Sequence, residues 1–292
     1  MIVHRSEESA VQYQQIQFVV SEGLATLTLN RPEARNAMTV QMRAEFEHVL
    51  AHLKAEAGRS VRVLIITGTA GHFCAGGDMK AQHARVQGGG TIVEERARMR
   101  ASHNRLIDLA NLEMPVIAAV DGAAAGAGFG LALAADFILA SDRAFFVQSF
   151  GRLGLVPDWN TFYLLPRLVG LQKAKELIFT ARRLPAPEAQ AMGIVHSIYA
   201  PHELMPAAER MARRLMRAST TAIALAKNIL NQSFHQDNRT ILEQEAMAQA
   251  MARETDFHRE ALRRFVAREP SLFDWDRAEP PADDSAPAPE VR

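Results

Sequence analysis

Two glycine-rich turns carry the first chemistry legible in the chain: "HFCAGGDMK" (72–80) and "VDGAAAGAGFG" (120–130). Each stands between a strand signal and a helix signal. A turn of small residues that opens a helix leaves backbone N–H groups without intrahelical partners. A pair of such donors suits an oxygen that gains negative charge during acyl chemistry. The third candidate is an acid, Asp158 in "LGLVPDWNT" (153–161), set between a proline and a tryptophan. Apolar neighbours Phe150, Val156, Trp159 and Phe162 would take water away from it. Desolvation raises a carboxylate's pKa and makes it a stronger base inside a pocket. The competing reading is an N-cap for a helix starting near Trp159 or Asn160, because Asp is a preferred N-cap residue.

Other candidates are weaker. His48 and His52 lie four apart on a helix, a spacing two metal ligands can use. The glutamate of a zincin motif would fall at Val49, and no third ligand accompanies the pair, so no metal is expected. The second turn also suggests a dinucleotide-binding unit. A G-x-G-x-x-G pattern starting at Gly126 would need Gly or Ala where Leu131 stands, and no G-K-[ST] phosphate loop occurs. A nicotinamide enzyme is therefore a distant second reading. Close packing against another element would account for Gly126 and Gly128 as well as a ligand would. Asp78 is expected to cap the helix after the first turn. Cys74 and Lys80 read as packing and surface residues.

The elements that must hold these turns alternate between strand and helix. "IQFVV" and "LATLTLN" predict a hairpin with Gly23 at the turn. "NAMTVQMRAEFEHVLAHLKAE" predicts a helix with Met42, Phe46, Val49, Leu50 and Leu53 on one stripe. "VRVLIITG" and "PVIAAVDG" read as buried strands, "FILAS" and "AFFVQ" as short ones. "IVEERARMRASHNRLIDLANL" and "GAGFGLALAAD" read as helices, with "QGGGT" a flexible link before the first of them. Such alternation makes an α/β fold. From Thr161 onward the pattern is almost wholly helical. The expected organisation is a flexible start at 1–15, a core at 16–200, a helical C-terminal subdomain at 201–270 and a largely disordered tail at 271–292, rich in Pro, Ala and acid.

Composition narrows the function classes. Lys+Arg and Asp+Glu balance at 33 each in 292 residues, which argues against a nucleic-acid surface. A single cysteine excludes an intrachain disulfide framework and suits a reducing compartment. The start lacks the apolar core of a secretory signal. The most membrane-like run, "GAAAGAGFGLALAA", is too short to span a bilayer and is closed by Asp121 and Asp136. A soluble cytoplasmic protein without a membrane partner is expected.

The two turns together, "FCAGGD" and "PVIAAVDGAAAGAGFGLALAAD", resemble the crotonase superfamily, the enoyl-CoA hydratase/isomerase family. "LNRPEARNAM" and "LPRLVGLQKAKELIFTARRLPAPEAQAMGIVHSI" match that family too, in order and spacing, over Val19 to Phe273. The resemblance implies a spiral of ββα turns with a helical trimerisation subdomain. It implies an acyl-CoA thioester substrate, with coenzyme A part of the substrate rather than a cofactor, and homotrimers or hexamers. It places an oxyanion hole on the N–H groups of Gly77 and Ala127. It puts the CoA near Arg35, Ala37 and Ala75, with Phe265 and Arg268 reaching the adenine end in a neighbouring subunit.

The departures from the family bear on the reaction. Hydratases of this type use two glutamates around one water. Their positions are Gly130 and Phe150 here, and neither can act as acid or base. Asp158 falls where the family's 3-enoyl-CoA and ring-epoxide isomerases carry an acid, in a similar "GL-hydrophobic-PD" pattern. The expected pocket is lined by Phe150, Val156, Trp159, Phe162 and Gly130. The reading is an acyl-CoA isomerase with Asp158 as the single acid/base, in fatty-acid or phenylacetate metabolism. A hydratase of low activity and a non-catalytic acyl-CoA-binding protein are the alternatives.

Overall fold

A computed structural model describes residues 12–276. Most of the expected flexible start and most of the expected disordered tail lie outside that range. Strands β1 (Ile16–Ser21) and β2 (Leu24–Leu29) pair antiparallel. Glu22 and Gly23 join them, both left-handed at φ 51° and 84°, the backbone a two-residue hairpin turn requires. The residues just before β1 are held down: Gln14, Gln15 and Ile16 donate backbone N–H bonds to the Glu45 carboxylate. Helix α1 (Val40–Glu56) starts at Thr39, whose side chain accepts from Met42 N. It buries Met42, Phe46, Val49, Leu50 and Leu53, the predicted stripe.

Strand β3 (Val63–Gly68) pairs parallel to β2. Successive side chains of a strand point to opposite faces. Leu64 and Ile66 accordingly enter the main core with α1, while Val63 and Ile65 face away from it. Helices α2 (Met79–Gln87) and α3 (Ile92–Ala110) follow, the latter opened by a capping box of Thr91 and Glu94. Strand β4 (Val116–Val120) extends the sheet, and β5 (Ala123–Ala125) leaves it to feed α4 (Ala127–Leu133). Strands β6 (Phe137–Ser141) and β7 (Phe145–Val147) come next, then α5 (Thr161–Thr180). The short elements β8 (Leu184–Pro185), α6 (Ala186–Ala191) and β9 (Ser197–Tyr199) lead to four helices. These are α7 (Leu204–Met216), α8 (Thr220–Gln232), α9 (Asn238–Arg253) and α10 (Asp256–Ala267).

The strands form two sheets, of order β1-β2-β3-β4-β6-β9 and β5-β7-β8. β9 lies in a stretch read as helical; it is only three residues long and half-buried, too short to carry an alternation signal. Helix α7 covers the far face of the larger sheet with Leu204, Ala208, Met211 and Ala212, packed on Val63, Ile65, Ile117, Ala119 and Leu139. This contact crosses the boundary read near Pro201. Helix α8 is pinned by a buried lysine: Lys227 Nζ donates to the partly exposed Asp136 at 2.7 Å and to the Met114 carbonyl at 2.9 Å. Among the described residues no helix is long and apolar enough to cross a membrane.

Candidate active site

The sheet topology lays the two glycine turns side by side. Cys74 N donates to Ala123 O and Ala125 N to Cys74 O, each at 2.9 Å. At Gly76, with φ +98°, a Cβ would stand 2.8 Å from Ala125 O, so only glycine fits the first turn. At Gly128 a Cβ would stand 2.4 Å from Cys74 O, so α4 needs glycine to approach that loop. Close packing is thus sufficient to explain Gly128. Met38 fastens the first turn from the other side, donating to Gly76 O at 2.7 Å and accepting from Asp78 N at 3.1 Å. That pairing leaves the Gly77 N–H free, and Ala127 is the first residue of α4, where N–H groups have no intrahelical acceptor. Neither N–H donates to another group among the described residues.

Asp78 is structural. It accepts from Ala81 N as the N-cap of α2 and pairs with Arg31 at 2.7 Å. The Ala81 N–H, with Arg31 adding, holds its carboxyl below the usual range. Cys74 is fully buried, and burial pushes its thiol up to about 12, so it is no nucleophile.

Gly77 and Ala127 line one cavity of about 920 Å³, together with Ala75, Phe150, Val156, Asp158, Trp159 and Phe162. Asp158 does not cap the helix that follows. α5 begins at Thr161, and Asn160, at its N-cap, makes no side-chain cap bond. Trp159 and Asn160 are both left-handed, at φ 53° and 59°, so the chain makes a tight turn between Asp158 and the helix. Asp158 Oδ1 is buried with no hydrogen-bond partner. Burial raises its pKa, and the charges of His103, then Arg43, then Arg98 pull the other way without overcoming it.

Gly130 is a correction to the expected pocket. It does not line the cavity, because the backbone of Trp159 lies directly against it. A Cβ at Gly130 would stand 2.5 Å from both Trp159 Cβ and Trp159 O. The remaining sequence candidates are not gathered at the cavity wall. Arg35 is exposed and left-handed at φ 50°, with its carbonyl accepting from Ala75 N at 3.0 Å. Ala37 is half-buried next to Met38, which does line the cavity. Phe265 and Arg268 sit at the exposed end of α10, outside the lining. The two helical histidines have other engagements: His48 Nδ1 meets Tyr13 OH at 2.7 Å, and His52 packs edge-on against Phe18.

Among the lining residues that the sequence reading did not single out, Arg43 and His103 carry charge or a polar ring into the cavity. Arg43 on α1 places its guanidinium carbon 5.7 Å from the Trp159 ring centroid. His103 on α3 has a buried Nε2 without a partner. One signal was available for each: Arg43 follows the core residue Met42, and His103 stands three before the core residue Leu106.

Comparison with known proteins identifies the family and the fold. The family model described as enoyl-CoA hydratase/isomerase matches residues 20–276. A 1,2-epoxyphenylacetyl-CoA isomerase of Escherichia coli is 34% identical over 87% of this chain and 96% of its own. A probable enoyl-CoA hydratase of Rhodobacter capsulatus is 33% identical over 90% of this chain and 99% of its own. The crystal structure of an enoyl-CoA hydratase/isomerase from Cupriavidus metallidurans superposes with a TM-score of 0.85 at 37% identity, covering 93% of this chain and 99% of that one. The fold is accordingly the crotonase fold, and the chain belongs to the enoyl-CoA hydratase/isomerase family.

Proposed function

We propose that the protein is an acyl-CoA isomerase that moves a double bond by a 1,3-proton shift. One observation carries the reading: the cavity holds a single carboxylate free to act, beside two unused backbone donors. Of the other lining carboxylates, Asp78 is bound by Arg31 and Ala81 N, and Glu95 by Arg98. Asp158 would take a proton from the carbon next to the thioester carbonyl of a 3-enoyl-CoA. The electron pair moves into a dienolate, whose negative oxygen the N–H groups of Gly77 and Ala127 would hold. Asp158 then returns the same proton two carbons along, giving the conjugated 2-enoyl thioester. A ring-epoxide thioester fits the same apparatus, and the Escherichia coli relative bears that name.

Hydration needs a second acid or base around one water. Gly130 has no room for a side chain and Phe150 offers no proton, so water addition is expected to be slow. The test compares conversion of a 3-enoyl-CoA, followed by absorbance of the conjugated thioester, with incorporation of labelled water into a 2-enoyl-CoA. Water addition faster than isomerisation sinks the reading; no turnover on either, with tight thioester binding, leaves a binding protein.

Helices α9 and α10 support a homo-oligomer. They bury no residue, and Leu242, Met247, Met251, Leu262, Phe265 and Val266 are exposed. An apolar surface of this kind is a contact surface. In a trimer or hexamer it would set Phe265 and Arg268 beside a neighbour's CoA. Light scattering that gives a monomer mass would remove this part of the proposal.

A further inference from the structure

The cavity holds more positive charge than a proton shift uses. Arg43 Nε is buried without a partner, and among the described residues its guanidinium joins no hydrogen bond or ion pair. Its Nη2 comes within 3.9 Å of where a side chain on Gly77 would begin. The guanidinium therefore lies between the first proposed oxyanion donor and Trp159, the residue after Asp158. His103 adds a second unsatisfied nitrogen, Nε2, from α3. Three other arginines line the wall, and one of them, Arg85 on α2, also joins no ion pair among the described residues. Arg98 is taken by Glu95, and Arg152 donates to the Ala181 carbonyl. A half-buried guanidinium at the wall of a largely apolar pocket, its Nε buried and its face against Trp159, favours a ligand that brings it an acceptor.

Two ordinary occupants do not account for it. The phosphates of coenzyme A lie a pantetheine's length from the thioester, whereas Arg43 stands beside the thioester end. Asp158 is the nearest protein candidate, but it forms no ion pair with Arg43, and its Oδ1 accepts no hydrogen bond. Burial outweighs the pull of Arg43 on that carboxyl.

We infer that Arg43, with His103, forms an anion subsite in the acyl pocket, and that the substrates are CoA thioesters of short dicarboxylic acids. The guanidinium fork matches a carboxylate through two parallel N–H bonds. The inference rests on the acyl-CoA thioester as ligand but not on which reaction follows. Its test is therefore binding of unreactive saturated thioesters to the full-length protein by calorimetry. Succinyl-, glutaryl- and adipyl-CoA are compared with butyryl-, pentanoyl- and hexanoyl-CoA.

At least one dicarboxylic member should bind roughly 10- to 100-fold more tightly than its uncharged partner of equal length. In Arg43→Met that ratio should fall to about one, and Arg43→Lys should keep part of it, since lysine holds the charge and loses the fork. Equal affinities across every wild-type pair overturn the inference, whatever the variants do. So does a preference that survives Arg43→Met. Failure of all six to bind overturns it together with the acyl-CoA reading. Loss of isomerase activity in an Asp158 variant bears on neither outcome.

Discussion

Replacing Asp158 by Ala separates a catalytic acid from a helix cap, because the two roles move stability in different directions. For activity, no other lining carboxylate is free to substitute, since Asp78 and Glu95 are both ion-paired. The expected loss in kcat is that of a positioned acid/base, about 100- to 10,000-fold. For stability, removal of an N-cap costs about 1 kcal/mol, worth roughly 2–4 °C in Tm for a domain of this size. Asp158 makes no cap bond, and its Oδ1 is buried and unpartnered. Burial raises its pKa, so the native state holds the carboxyl proton more tightly than the unfolded chain. The sign follows from linkage. The stability this group contributes is present at low pH and is lost as pH rises through the native pKa, where the ionised form opposes folding. The alanine that replaces it carries no charge. The variant should melt at or above the wild type near pH 8, and that advantage should shrink as pH falls toward the unfolded carboxyl pKa of about 3.9. Arg43 loses a neighbouring negative charge in the variant, which limits the gain. Thermal melts at pH 8 and pH 5, beside isomerase assays, decide the matter. A Tm lower than wild type by about 2 °C or more at pH 8 would restore the cap. A rate loss below about tenfold would remove Asp158 from the chemistry.

Gly130→Ala should destabilise by about 1–3 kcal/mol, because its Cβ would overlap Trp159 Cβ and O at 2.5 Å. Gly130→Glu, which puts a carboxylate where the family resemblance places a hydratase glutamate, should gain no measurable water addition to a 2-enoyl-CoA; a stable, hydrating variant would refute the packing argument. Lys227→Met should cost about 1–3 kcal/mol at pH 8, since it strips the cation from the partly exposed Asp136 carboxylate. Burial already holds that carboxyl above its usual range, so the Tm deficit should narrow as pH is lowered and Asp136 takes up a proton; a pH-independent deficit contradicts this.

The parts of the fold legible in the sequence are those where one residue type answers a local demand. The stripe from Met42 to Leu53 is periodic within a single helix, and all five predicted members are buried. The hairpin at Gly23 and the cap at Asp78 depend on neighbours a few residues away. The glycine turns were visible because Gly76 must adopt φ +98° against Ala125. Arg43 and His103 were only faintly signalled, by their places beside Met42 and Leu106. Each belongs to an amphipathic helix whose charges read as a solvated face, and only the assembly of α1 and α3 around the cavity turns them inward.

Asp158 shows why the cap question had no local answer. "PDWNT" carries every signal of a helix start, and a helix does start there, at Thr161. What withdraws Asp158 from the cap is a pair of left-handed residues, Trp159 and Asn160. A tryptophan at φ 53° is strained on its own and needs surrounding structure to hold it. Gly130 provides that hold, since any side chain there would occupy the place of Trp159 Cβ and O. Gly130 and the turn at Asp158 are therefore one packing event. The tryptophan settles onto Gly130, and the preceding aspartate is left uncapped and half-buried at the cavity wall. A chain with a side chain at position 130 would have to move Trp159, and with it the acid to which the proposed isomerisation is assigned.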